Sequence, residues 1–179
     1  MMKKLSLSVL CAVLAVAGTL NAGDYKSFKE KVVVVPEVCN FSDTELQVDA
    51  FFTGVAGEYN SGHTLNSGVG GGTGVNFFFA RYFGLGVEAF WYGNGGTAEH
   101  MIVGNAYFRY PICSWNLAPY IMAGGGAGWD GYAIGYGHVG GGIEWRPFRH
   151  VGFFGDARWF YGAPDNVAVF RSGVRIAFH

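Results

Sequence analysis

From Thr44 onward, polar and apolar side chains alternate with a period of two through one short segment after another, and few folds tolerate that pattern. In the first segment Leu46, Val48, Ala50 and Phe52 alternate with Glu45, Gln47, Asp49 and Thr53, with Phe51 out of step. A second, about Val69 to Phe79, sets Val69, Val75 and Phe77 against Asn76. The third opposes Leu85, Val87, Ala89 and Trp91 to Gly86, Glu88 and Phe90. The fourth, Met101 to Tyr110, opposes Ile102, Ala106, Phe108 and Tyr110 to Asn105 and Arg109. The fifth, about Ala118 to Trp129, is so rich in Gly and Ala that its facing stays open. The sixth sets Val139, Ile143 and Trp145 against His138 and Glu144. The seventh sets Val151, Phe153, Ala157, Trp159 and Tyr161 against Asp156 and Arg158. The last sets Ala168, Phe170, Val174, Ile176 and Phe178 against Arg171, Gly173 and Arg175. Segments of roughly ten residues match the length of a tilted strand crossing a bilayer.

Composition decides what such strands build. Only 14% of residues are charged while 50% are hydrophobic, against about 25% charged in a soluble domain. Beyond the N-terminus no apolar run reaches the roughly 20 residues of a membrane helix. A closed barrel is the remaining way to pair every backbone group in lipid. A water-soluble sandwich would instead pack its apolar faces together. Those faces carry Trp91, Trp145, Trp159, Tyr110 and Tyr161 near strand ends, as membrane-interface aromatics do. The expected fold is all-β, an eight-stranded antiparallel up-and-down transmembrane β-barrel over residues 44–179. A formal net charge of -1 argues against a nucleic-acid partner.

Residues 1–22 read as a secretory signal peptide: Lys3 and Lys4, an apolar core from Leu5 to Ala17, and Leu20-Asn21-Ala22 as cleavage site, with Ala15-Val16-Ala17 as an alternative. A membrane anchor is the weaker reading because the run is short. Residues 23–43, with Lys26, Lys29, Lys31 and the run Val32 to Val35 stopped by Pro36, read as a periplasmic lead-in. Cys39 and Cys113 then remain, either as one disulfide or as two free thiols.

Short connections are expected at Ala80–Phe83, Pro111–Asn116 and Arg146–His150, and longer ones at Val55–Gly68, Gly93–Glu99, Asp130–Gly137 and Gly162–Asn166. Arg81, Arg146 and Arg149 fall in or beside the short set, and Glu58, Glu99, Asp130 and Asp165 in or beside the long set. Short periplasmic turns and longer outer loops orient the barrel.

The polar face collects Glu45, Asp49, Glu88, Glu144 and Asp156, with Arg109, Arg158, Arg171 and Arg175. An eight-stranded barrel has room inside only for side chains, and buried ions must pair. The expectation is a plugged lumen held by a structural Arg–carboxylate network, with Gly70, Gly72 and Gly74 leaving space for long arginines opposite.

These features, with the C-terminal strand ending Arg175-Ile176-Ala177-Phe178-His179, resemble the small outer-membrane barrels of the OmpA-transmembrane and OmpX-like family. The resemblance covers about Thr44 to His179. It implies an outer-membrane location, lipid neighbours, and delivery by the barrel-assembly machinery through the last strand, whose aromatic Phe178 is here penultimate. No peptidoglycan-binding domain follows, so a cell-wall tether is not implied.

Lipid A deacylases resemble this architecture and use a His and a Ser close together on a lipid-facing strand. Of His63, His100, His138, His150 and His179, none is followed two residues on by Ser; His63 has Ser61 and Thr64 near it, in an expected loop. His138 with Glu144 is the nearest other pairing. No metal-ligand spacing occurs, and Gly70 to Gly74 lacks the Lys and helix of a phosphate loop. The reading is therefore a non-enzymatic barrel without cofactors, serving envelope integrity or surface interaction through loops such as Asn60 to Thr64 and Trp129 to Tyr132. The alternatives are a lipid-modifying enzyme and a transport pore.

Overall fold

A computed structural model describes residues 39–57, 67–94, 97–129, 133–162 and 166–179. The expected leader, nearly all of the lead-in, and His63, Glu58, Asp130 and Asp165 lie outside the described residues. Eight strands follow in order: β1 (Glu45–Gly57), β2 (Gly68–Ala80), β3 (Phe83–Asn94), β4 (Thr97–Arg109), β5 (Leu117–Trp129), β6 (Ala133–Phe148), β7 (Val151–Tyr161) and β8 (Val167–Phe178). Each is antiparallel to its neighbour, and β8 returns to β1 from Leu46↔Phe178 to Gly57↔Val167, closing the ring. No edge is left to be satisfied by lipid.

The period-two pattern sorts the side chains as its chemistry demands. Leu46, Val48, Phe52, Leu85, Val87, Ile143 and Ile176 stand on the outer wall, while Glu45, Gln47, Asp49, Glu88 and Arg175 are buried inside. On β5, Ala118, Tyr120 and Met122 turn inward and Ile121 and Trp129 outward. Its middle, Ala123 to Gly128, has side chains too small to announce a face. Phe51 does not break its strand; it points inward in step with Asp49 and Thr53.

Three expectations need correction. First, β6 runs on to Phe148, so Arg146 is a strand residue facing the lumen rather than part of a turn. Arg81 and Arg149 remain as the arginines of the turns themselves. Second, the connections at 93–99 and 130–137 are short, because Asn94 pairs with Thr97 and Trp129 with Ala133. The hairpin strands continue past the bilayer-spanning length, leaving 58–67 as the long connection and marking the loop end. Third, Gly70 does not make space for an arginine. A Cβ there would lie 1.8 Å from the Trp91 carbonyl oxygen, so β2 and β3 fold together too sharply for any side chain. At Gly74 the neighbour is the Glu88 side chain, 2.8 Å from such a Cβ.

Candidate functional site

The lumen is filled in layers. Phe51, Phe90, Phe154 and Phe160 meet edge to face, with centroids 6.2 to 6.3 Å apart, in a cluster that runs from Phe160, Met101 and Val169 near the loop end down to Phe154, three residues into β7. His138 stacks on Phe160 at 4.7 Å. It makes no bond to Glu144, which is held elsewhere.

A first charged group packs against this cluster, with Arg171 4.4 Å from the Phe51 ring centre and the Phe154 ring between Arg171 and Arg175. Glu88 of β3 accepts both ends of the Arg158 guanidinium, at 2.8 and 3.0 Å, and Arg171 Nη1 at 2.7 Å. Asp156 of β7 takes Arg171 through Nε at 2.9 Å and Nη2 at 2.5 Å. The Tyr107 hydroxyl donates to Glu88 at 2.8 Å, and that of Tyr120 to Asp156 at 2.9 Å. The remaining lone pairs of both carboxylates are thereby met by fixed donors.

Toward the turn end a second group runs as an alternating chain. Asp49 binds Arg175 through Nε at 2.7 Å and Nη2 at 2.6 Å. Arg175 Nη1 reaches Glu144 at 2.8 Å, and Arg146 Nε reaches the same carboxylate at 2.8 Å. Arg146 also forks onto Glu45 at 2.8 and 2.9 Å, and Arg109 closes the chain on Glu45. Two-pronged contacts of this kind suit the planar guanidinium, and no Lys is present among the described residues. The nine residues expected on the polar face carry five carboxylates and four arginines. Arg146 supplies the missing cation, making each group neutral. Its signal was present in the sequence, since it lies two residues after Glu144 on the same face.

The turn-end mouth is crossed by a strap. Cys39 is disulfide-bonded to Cys113, in the 3₁₀ turn Cys113–Trp115 between β4 and β5, across the ring from β1. Two residues after Cys39, Phe41 is buried, with Arg146 4.4 Å and Arg109 5.3 Å from its ring centre. Asn40 Nδ2 donates to the Arg146 carbonyl at 2.9 Å, and Arg146 Nη1 donates to the Asn40 carbonyl at 3.0 Å. The strap therefore continues the ionic layer rather than merely lying over it.

Outside, the wall is a belt of large apolar and aromatic side chains around a closed sheet. An apolar exterior, a polar interior and a sheet without edges together make an outer-membrane architecture. Comparison with solved structures reaches the same class. The N-terminal β-barrel domain of Pseudomonas aeruginosa OprF aligns with a TM-score of 0.60 at 14% identity, over 75% of this chain and 97% of that one. Neisserial surface protein A gives 0.61 at 15%, over 76% and 98%. Ail, the attachment invasion locus protein of Yersinia pestis, gives 0.58 at 13%, over 76% and 100%. This is the fold of the small outer-membrane β-barrels. No protein-family model matches the chain, and no curated protein matches it in sequence. In this outer-membrane barrel the likeness to OmpA-transmembrane and OmpX-like proteins is thus one of fold. Among the described residues, no cluster of three or more His, Cys, Asp or Glu is arranged to hold a metal.

Proposed function

We propose that the chain is a non-conducting, non-enzymatic outer-membrane barrel that serves envelope integrity or surface interaction, holding its loop end rigidly above the membrane. The observation that carries this reading is the filled lumen. Five arginines and five carboxylates neutralise one another, an aromatic cluster packs against them and on toward the loop end, and a covalently tethered strap lies below. An open pore would need these groups hydrated and separate. Here their donors and acceptors are spent on one another, which makes each hard to displace.

The outer wall supports the non-enzymatic part. The outward Ser172 of β8 has Phe52 and Gly155 as its cross-strand partners, so no histidine stands beside it to act as a base. Lipid neighbours and the barrel-assembly machinery, engaging the outward Phe178 of β8, are the partners this reading implies. Planar-bilayer recordings on the purified, oxidised barrel test it. The expected trace is flat, with only rare, brief openings. Steady, sizeable steps would overturn the proposal and favour a pore.

A further inference from the structure

One row of the outer wall departs from the plain apolar surface around it. Trp91 of β3 pairs with His100 of β4, and His100 with Trp129 of β5, so three nitrogen-bearing rings stand side by side on the lipid face. The imidazole lies 20° from parallel to the Trp129 indole, with centroids 6.2 Å apart. Trp91 and Trp129 are 51% and 40% exposed. A notch of about 170 Å³ is bounded by the three rings together with Ala89 and Ile102.

Three observations define what this row can hold. His100 is the sole imidazole on the outward face of β1 to β8 among the described residues, since His138 turns inward. Each ring of the row can offer an N–H, the indoles as donors only, and no described strand turns an Asp or Glu outward. The surface is therefore rich in donors and free of anions. The row also stands close to the loop-end termini of its strands, Asn94, Thr97 and Trp129, the depth of lipid headgroups, while Ala89 and Ile102 continue into the acyl zone.

An occupant must then bring acceptor oxygens and negative charge at the height of the rings, a flat face to lie against indole, and acyl chains beneath. We infer that Trp91, His100 and Trp129 form a headgroup site for a phosphorylated glycolipid of the outer leaflet, of the lipid A class. The phosphate oxygens accept from the ring N–H groups, and a sugar ring covers an indole face. The inference rests on the outer-membrane reading with the loop end outward, and names the lipid and the residues that hold it.

The test uses the full barrel in detergent, mixed with lipid A, dephosphorylated lipid A or phosphatidylglycerol, with bound lipid counted by native mass spectrometry. Wild type should hold one lipid A at least tenfold more tightly than either other lipid. His100→Leu, which removes the N–H, should lose most of that preference, while His100→Gln, whose amide still donates, should keep part of it. Both substitutions are outward and leave the lumen intact, and Leu suits a lipid-facing wall. Equal retention by the variants, by dephosphorylated lipid A or by phosphatidylglycerol would sink the inference. Reconstitution into phospholipid vesicles keeps the two readings apart. Failure to insert counts against the membrane placement on which the inference stands, whereas insertion with indifferent variants removes the site alone.

Discussion

At the scale of single residues the interior is governed by charge balance, and Arg146 is where that balance is decided. Without it, Glu45 would keep only Arg109 among its arginines and Glu144 only Arg175, leaving a net negative charge in a closed space. Removing one partner of a buried pair costs about 3–5 kcal/mol, chiefly because the other charge is stranded. Arg146→Met should therefore lower stability by that order, read as a shift of the urea midpoint in micelles. Adding Glu144→Gln restores neutrality, so the double variant should lose less than the sum of the two single losses. The sequence made most of this network readable, because alternation places each ion on a face. It misled at Arg146, where Pro147 and the basic Arg149 after it look like the start of a turn. It misled again at Phe51, an apolar residue on a polar face, because periodicity reports direction and not that the lumen holds aromatic rings packed against its arginines.

At the scale of elements, glycine does two kinds of work that composition cannot separate. Inward glycines sit where neighbouring strands fold over sharply: a Cβ on Gly126 would lie 2.0 Å from the Ile102 carbonyl oxygen. Outward Gly54 meets nothing within 4 Å. Gly126→Ala should therefore weaken or prevent barrel closure, while Gly54→Ala should be tolerated. The readout is heat-modifiable migration on a detergent gel, with loss of the compact band expected for the first alone. Equal behaviour would mean that the bend at β4–β5 is not what requires glycine. The same ambiguity kept β5 unreadable in sequence, since Gly and Ala carry no facing signal. Hairpin lengths were misjudged for a related reason. Gly93, Gly95 and Gly96 look like loop, yet the register carries β3 as far as Asn94.

At the scale of the whole molecule, the fold exchanges the usual inside and outside of a soluble protein: its ions are central and its apolar groups peripheral. Such an arrangement is stable only where the surroundings are themselves apolar, because the exposed belt would otherwise drive association in water. The sidedness can be measured. Val87 and Ile143 are 59% and 52% exposed on the outer wall of strands β3 and β6, while Arg81 lies in the turn before β3. Single spin labels at 87 and 143, with the barrel in phospholipid vesicles, should be relaxed more by lipid-dissolved oxygen than by an aqueous nickel chelate. A label at 81 should show the reverse. The two wall positions lie three strands apart around the ring, so agreement between them tests the belt and not one patch. If either wall label met the aqueous quencher as readily as the turn label does, the barrel would have water on that side. Its buried charges would then have to be explained without a bilayer.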